Sequence, residues 1–452
     1  MSAGRVVVLG GGLAGIAAAL DCARAGAAVK LLEVRPRLGG AAYSFERDGL
    51  WLDNGQHVFL RCCSAYRELL QRLGSAEDTV LQDRLALPVL APGGRVAWLR
   101  RSGLPAPLHL SGSLLHYGHL RPRERIAAAR AALALARVDP EDPGTDARSF
   151  GAWLAARGQS PHAVQTLWEL IGRPTLNLRA DDASLATAAF VFGVGLLNRA
   201  DAGDIGYARA PLQRVHGDAA LRALTGAGVD VRLRWRAQRI ELTPNGVLAI
   251  AGPGDERLRA DAVVLAVPHD RVARLLPDGA LADLGALARL GTSPIVNLHV
   301  VYDRPVLGLG LAAAVDSPVQ YVFDRTASSG LARGQCLAVS LSAADAEIEC
   351  SAEELRARFV PALAELLPAA RTARIERFVV TRERTATFRA APGARALRPG
   401  ARTAIEGLAL AGAWTDTGWP ATMEGAVRSG HAAARVALAA LGRERALQEA
   451  TA

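Results

Sequence analysis

The chain has 452 residues, a formal net charge of +9 and 50% hydrophobic residues. That length is enough for one or two full cores, yet no run of eighteen apolar residues occurs, so no transmembrane helix is expected. The five cysteines, Cys22, Cys62, Cys63, Cys336 and Cys350, are odd in number and form no C-x-x-C pair, which speaks against a disulfide framework or a thiolate metal site and fits a reducing cytoplasm.

In chain order, the apolar run Val6, Val7, Val8 and Leu9 is of the kind that makes a buried parallel strand. It begins so near the N-terminus that no room is left for a signal peptide. Gly10, Gly12 and Gly15 follow in the pattern G-x-G-x-x-G, and an Ala-rich helix is expected over residues 16–25. Val29, Lys30, Leu31 and Leu32 read as a second strand closed by Glu33. Each part suits a dinucleotide. Gly10 permits a tight turn, Gly12 lets backbone approach a pyrophosphate, and Gly15 lets the helix pack on the strand. The helix start at Leu13 and Ala14 points its N–H groups at the phosphates. Glu33 stands 21 residues beyond Gly12, near the spacing for a carboxylate accepting from a ribose 2′-OH. A carboxylate there disfavours a 2′-phosphate and hence NADP. After Val34 comes a second glycine pair in Arg37, Leu38, Gly39 and Gly40. The run E-x-x-x-R-x-G-G resembles the extension found in the FAD-binding amine oxidase and phytoene desaturase superfamily. The cofactor this implies is FAD.

Residues 45–59 contain Asp53, Asn54, Gly55, Gln56, His57, Val58 and Phe59. By themselves they read as a turn between two strands with a loop histidine. They are also similar to the acid-x-Gly-x-His-aromatic segment of plant-type phytoene desaturases, which implies that Gly55 and Gln56 run past the flavin.

Between residues 95 and 137 eight arginines face one acid, Glu124, although the chain as a whole has a single lysine, Lys30. A local basic patch suits nucleic acid or an anionic membrane surface. Nothing resembles a nucleic-acid module, and aromatics are only 5% of the chain, so no nucleic-acid partner is expected. Pro105, Pro107 and Pro122 break regular structure, making the part around Leu104, Leu108, Leu114 and Leu115 an apolar loop. A helix is expected over residues 123–137, with Arg123, Arg130 and Arg137 on one face. This is either a surface helix with a solvated arginine stripe or a monotopic membrane contact. Desaturases of the family carry a matching Pro-Ala-Pro-Leu segment on their membrane-facing side, which implies the membrane.

Residues 139–144 form a linker. Short helices are expected around Phe150, Trp153 and Leu154 and over residues 163–171, ahead of Arg173, Pro174 and Asn177. The stretch 185–197, with Phe190 and Phe192, fits a core helix or the wall of a lipid cavity. A helix over 212–226 leads to a strand over 229–233 that includes Val231, and residues 263–268 make another buried strand. In the superfamily these return to the nucleotide domain, Val231 beside the adenine. Residues 295–302 alternate as a strand, and 352–367 read as an amphipathic helix.

A last strand is expected over 408–412, then a loop from Ala413 to Gly418, then a helix opening with Met423, Glu424, Gly425 and Ala426. A helix N-terminus aimed at the ring would stabilise reduced flavin. The resemblance places Gly412, Ala413, Thr422, Met423, Glu424 and Ala426 at the cofactor. Ala413 stands where the family has an aspartate bonding the ribityl chain, a role that Asp416 partly fills or that costs flavin affinity.

The run from Ala413 to Glu424, Ala-Trp-Thr-x-Thr-Gly-x-Pro-Ala-Thr-x-Glu, is similar to the branch of squalene-associated FAD-dependent desaturases, the hydroxysqualene dehydroxylases. The resemblance implies an α/β fold: a Rossmann-like FAD-binding domain of the glutathione reductase type over 1–65, 206–275 and 397–452. An interleaved α+β substrate-binding, membrane-facing domain would take up 66–205 and 276–396. It also implies reduction of hydroxysqualene to squalene, feeding hopanoid synthesis, at the inner face of the cytoplasmic membrane. Such chemistry needs an acid, a dry cavity and an electron source. His57 and then Asp416 are the candidate proton donors, Asp53 is next, and Arg173 and Asn177 are placed to orient the hydroxyl. Only one dinucleotide fingerprint is present, so electrons are expected from a separate reductase or a quinol. A carotenoid desaturase, an amine oxidase and a flavin-free prenyl-lipid escort protein are the rival readings. An amine oxidase would normally place a lysine near the flavin.

Overall fold

Five short apolar strands pair in parallel in the order Asp230–Arg232, Ala28–Leu32, Arg5–Leu9, Ala262–Leu265 and Leu408–Leu410. Val6, Val8, Val263, Val264, Leu265 and Leu408 to Leu410 are fully buried, as expected of a parallel sheet covered on both faces. The computed structural model describes residues 4–242 and 248–443; the outermost residues of the expected nucleotide-binding segments, 1–3 and 444–452, lie outside them. The first helix spans Leu13–Arg24 and starts earlier than its alanines suggest, because extended Gly12 serves as its N-cap. The C-terminal helix Met423–Ala440 packs directly against it. A Cβ on Gly430 would lie 2.2 Å from Ala14 O, so only glycine permits this approach. An antiparallel meander, Arg239–Leu242, Leu248–Ala251 and Arg257–Ala260, links two of the parallel strands.

The second large element is a seven-stranded sheet in the order Ile375–Phe388, Thr292–Tyr302, Gln335–Ser342, Tyr321–Asp324, Leu311–Ala314, Ala86–Ala91 and Arg95–Arg100. Side chains along Thr292–Tyr302 alternate between its faces. Val296, Leu298 and Val300 share one apolar cluster with Leu355, Phe359 and Leu363 of the helix Ala352–Leu366. Val301 packs on the opposite face against Leu50 and Leu52, which belong to the strand Leu50–Asp53 of a hairpin with Ser44–Arg47. Asn297 and His299 share that second face, between the sheet and the segment that runs past the nucleotide fold.

The helical part differs from expectation in two places. The segment over 163–171 is one stretch of a longer helical run from Pro161 to Leu176, with a π-helical turn over Val164–Trp168 and Pro174 inside the last part. Pro174 cannot donate to Leu170 O, and the Tyr321 hydroxyl takes that carbonyl at 2.8 Å. Asn177, at φ 52°, ends the run in the left-handed region. Pro122 does not break structure but opens the helix Pro122–Leu135, where its missing N–H has no consequence. The expected loop before it holds a 3₁₀ turn at Leu108–Leu110 and a short helix at Ser111–Leu115. No helix among the described residues is long and apolar enough to cross a membrane.

Candidate cofactor and reaction site

The glycines form a cradle of bare backbone. Gly10 lies at φ 110°, and a Cβ there would stand 2.3 Å from Ala266 O. On Gly15 it would stand 1.9 Å from Gly10 O, so the first turn of the helix lies against the end of the strand. Gly39 and Gly40 both have positive φ, and a Cβ on Gly40 would meet Gly12 Cα at 2.6 Å. Beside Gly12 itself a Cβ would have no neighbour closer than 3.7 Å. The helix over Leu13–Arg24 has no side-chain cap and no acid in its first turn, which leaves its leading N–H groups, at Leu13 and Ala14 among others, for an anion. Glu33 is buried; Oε2 accepts from Gly11 N at 2.6 Å and Oε1 from Arg35 N at 2.7 Å. Each oxygen keeps a second lone pair for a further donor. Val34, beyond the end of the strand Ala28–Leu32, is exposed, and Val231 is half-buried, paired with Leu31 in the sheet. The Arg37 guanidinium lies over the Tyr43 ring, 3.3 Å from its centroid, and its burial lowers its pKa from the ordinary arginine value.

At the other end of the chain, Gly412 lies at φ 145° and its N–H donates to Ser429 Oγ at 2.8 Å. Thr422 caps the last helix, accepting from Gly425 N at 3.1 Å, and Ala426 N donates back to Thr422 O. The leading N–H groups at Met423 and Glu424 are thus at the open end of that helix. Expectation and structure part at the Glu424 side chain. It is fully buried and accepts from Ala65 N at 3.1 Å and Tyr66 N at 2.7 Å, with Arg428 Nε at 2.7 Å. Its carboxylate therefore caps the helix Ser64–Leu73 and is not free for a cofactor. Ala413 is half-buried, and its carbonyl is one of four that Arg398 gathers, with those of Trp414, Thr415 and Trp419. Burial pushes Arg398 down to about 10, and its guanidinium stands 4.7 Å from the Phe388 centroid. Sequence reasoning passed over Arg398, which lies in no glycine motif, and gave no role to Ser429, which stands directly before Gly430 in the last helix.

The five reaction candidates are not gathered at one point. His57 Nδ1 lies 3.0 Å from Gly55 O; a carbonyl only accepts, so Nδ1 carries the hydrogen and Nε2 is the free ring nitrogen. Burial lowers the His57 pKa below its ordinary value, which disfavours the charged ring that a proton donor needs. Asp53 is buried against Arg325 at 2.7 Å and accepts from Ser44 Oγ at 2.6 Å and Leu212 N at 3.3 Å. That makes it a structural ion-pair partner rather than a proton donor. Arg173 donates to Ser342 O and Ala343 O. Asn177 donates to Ser293 O and Thr387 Oγ1 and accepts from Ala343 N. Together these two pin the helix end to the large sheet, and Asn177 has no donor left for a substrate hydroxyl. Asp416 is exposed, accepts from Gly418 N, and lines a cleft with Phe190, Phe388, Arg395, Arg398 and Trp419. The Phe190 and Trp419 rings meet edge to face at 5.2 Å.

Asn54 is the joint the sequence did not reveal. Its Nδ2 donates to Ala41 O and Glu383 Oε1, its Oδ1 accepts from Tyr43 N, and its carbonyl accepts from Asn297 Nδ2 and Thr381 Oγ1. One residue thus fixes the loop carrying Gly55, Gln56 and His57 between the Gly40 turn and two strands of the large sheet.

In the basic segment Arg101 is not free: with Arg61 it neutralises fully buried Asp204. Arg123 and Arg130 are exposed, and so are Ile126 and Leu133 on the same face of the helix, opposite buried Ala128, Ala131 and Leu135; exposed Arg137 lies beyond the end of the helix at Leu135, which stops short of the expected 137.

The model of the family described as flavin containing amine oxidoreductase matches residues 13–438. The chain is 30% identical to a hydroxysqualene dehydroxylase of Rhodopseudomonas palustris, covering 96% of this chain and 98% of the other. It is 24% identical to a zeta-carotene desaturase of Zea mays, over 94% and 82%. Among solved structures it is similar to a putrescine oxidase with putrescine bound, with a TM-score of 0.73, 21% identity and coverage of 97% and 99%. A cyclohexylamine oxidase from Brevibacterium oxydans superposes with a TM-score of 0.72 at 20% identity, over 96% and 99%. At such identities these structures establish the fold.

Proposed function

Since the chain belongs to the family of flavin-containing amine oxidoreductases, we propose that it removes the allylic hydroxyl of hydroxysqualene reductively to give squalene, in hopanoid synthesis. It is an FAD-dependent oxidoreductase. The bare Gly12 and Gly40 backbones and the uncapped helix at Leu13 fit the pyrophosphate of that cofactor. When bound and reduced, FAD supplies hydride for an electron-deficient carbon. The observation that carries the choice of substrate is the 30% identity, spread over nearly the whole of both chains, to a hydroxysqualene dehydroxylase. An amine substrate is disfavoured because the one lysine, Lys30, is ion-paired with Asp230 in the nucleotide sheet. A zeta-carotene desaturase similar over 94% of this chain supports carotenoid desaturation as the second reading. The division into nucleotide-binding segments 1–65, 206–275 and 397–452 and a substrate part is supported by the parallel sheet, which draws all its strands from those segments.

On this reading the residues of the chain hold the alcohol away from water and deliver a proton to its oxygen, because hydroxide is a poor leaving group. His57 would deliver it through Nε2, while the Gly55 carbonyl fixes the ring. Arg123, Arg130 and Arg137 would rest on an anionic membrane at the inner face of the cytoplasmic membrane, and electrons would come from a separate reductase or a quinol. Anaerobic incubation of dithionite-reduced holoenzyme with hydroxysqualene should yield squalene. Failure there, with desaturation of a linear C40 polyene by the oxidised enzyme, would replace this reading by the second. In single turnover from FAD-replete protein, His57→Ala should slow flavin oxidation about a hundredfold, within the range for a general acid. Asp416→Asn should change it little. Because burial lowers the His57 pKa, the acid form grows as pH falls. The wild-type rate should therefore rise about tenfold per unit toward acid until that pKa is reached. A wild-type rate in His57→Ala would mean that the proton comes from elsewhere.

A further inference from the structure

Seven buried side-chain polar atoms lack a partner among the described residues, and four of them, Gln56 Nε2, Asn297 Oδ1, His299 Nε2 and Arg325 Nε, belong to residues around one loop, 53–57. Arg325 Nη2 is 2.7 Å from Asp53 Oδ2, and Asn297 Nδ2 is 3.1 Å from Asn54 O. A Cβ on Gly55 would lie 3.5 Å from Asn297 Nδ2 and 3.6 Å from His57 Cε1. His299 follows Asn297 by two residues on the same face of the strand Thr292–Tyr302. Asn297, His299 and Arg325 are 0%, 1% and 7% exposed, so bulk solvent does not satisfy them. Folded interiors leave few such atoms unpaired, and a cluster of them calls for a guest.

The character of the atoms narrows the guest. Arg325 Nε is a donor. The bond from Asn297 Nδ2 to a carbonyl fixes that amide, so Asn297 Oδ1 is an acceptor on the other side. The Gln56 amide offers a donor and His299 Nε2 serves in either role. An anion would leave Asn297 Oδ1 without a partner, a metal cation would face the Arg325 charge, and an apolar group would satisfy none of them. A group that both donates and accepts, O–H, serves a mixed set. We propose that Asn297, His299 and Gln56 form a binding pocket for one hydroxylic ligand, either a resident water or the hydroxyl of an alcohol substrate. In its substrate form the proposal rests on the alcohol reading above.

The test compares His299→Leu with the wild type, each as oxidised holoenzyme, which cannot turn over the alcohol; Asn297→Leu, which also loses its bond to Asn54 O, is read for binding alone. Two quantities are read: the melting temperature, and the ratio of dissociation constants for hydroxysqualene and squalene from the flavin absorbance change. If the substrate hydroxyl occupies the pocket, the wild type prefers the alcohol by about tenfold or more and both variants lose that preference, with squalene binding unchanged and His299→Leu melting as the wild type does. If water occupies it, the ratio is unchanged but His299→Leu melts several degrees lower, because a bound water has lost a partner. Either result supports the pocket. Unchanged ratios together with an equal or higher melting temperature of His299→Leu would overturn it, since filling a dry packing defect with an apolar side chain is neutral or stabilising. A wild type that neither prefers nor converts the alcohol would defeat the alcohol reading alone, and the melting comparison would still decide the pocket.

Discussion

Arg325 and Asp53 form an ion pair with side chains 8% and 6% exposed, at the junction of the hairpin Ser44–Asp53 and the large sheet. Removing two charges from water is costly, and the pair is tolerable because Ser44 Oγ, Leu212 N and the Ala208 and Ala210 carbonyls supply all of its hydrogen bonds but the one at Arg325 Nε. Arg325→Met should therefore destabilise the protein by about 3–5 kcal/mol, the range for a buried charge left without its partner. The double change Asp53→Leu with Arg325→Met should recover much of this in urea unfolding. A single change costing under about 1 kcal/mol would mean that water reaches Asp53. Glu33 sits at the same scale on the cofactor side. Because it holds the N–H groups of Gly11 and Arg35, Glu33→Arg removes both the acceptor we propose for the ribose and the shape of the turn. The purified variant should carry less FAD per protein by absorbance, and full occupancy would refute the assignment.

Three helices meet at the next scale: Leu13–Arg24, Ser64–Leu73 and Met423–Ala440. Asp21 joins them, with Arg72 Nη1 at 2.7 Å and His431 Nδ1 at 2.5 Å. Burial by itself would raise the Asp21 pKa, but His431 and Arg72 outweigh it and the value is lowered. A depressed carboxylate stabilises the fold fully above its unfolded value of about 3.9 and loses that contribution as pH falls through the folded value. The melting temperature of the wild type should therefore exceed that of Asp21→Asn at pH 6–7, and the gap should close only below about pH 4. A gap independent of pH down to 2 would assign the effect to packing. These contacts also mark what the sequence could convey. The strand–glycine–helix–strand order of the first forty residues is local, so periodicity and spacing reveal it. The caps that Glu424 gives Ala65 and Tyr66 join positions more than 350 residues apart, and no local pattern encodes them. For the same reason Asn54 reads as an ordinary loop polar residue and Asn177 as a group placed to orient a hydroxyl: their partners lie on strands that only the fold brings near.

Over the whole molecule, apolar exposure and positive charge coincide in one region. Six of the eleven large hydrophobic side chains exposed among the described residues, Val96, Leu104, Leu108, Leu115, Ile126 and Leu133, fall within a span of 38 residues. Interspersed with them are Arg123, Arg130 and Arg137, while Arg101 is neutralised by Asp204. A monomer gains nothing by exposing leucine beside unpaired arginine in water, whereas at a bilayer the leucines enter the acyl boundary and the arginines meet phosphate headgroups. We therefore expect the protein to bind anionic vesicles more than neutral ones. Each arginine near such a surface contributes about 1 kcal/mol, so changing Arg123, Arg130 and Arg137 together to Gln should weaken partitioning by about 3 kcal/mol, roughly a hundredfold. Leu108→Ser with Leu115→Ser should act differently, lowering binding to anionic and neutral vesicles alike, because it removes apolar area rather than charge. Raising salt from 0.1 to 1 M shortens the screening length from about 10 to about 3 Å and should mimic the arginine changes but not the leucine ones. Vesicle sedimentation with the FAD-loaded full chain measures all four conditions. Binding that ignores both salt and the triple arginine change would show that this face meets something other than an anionic membrane.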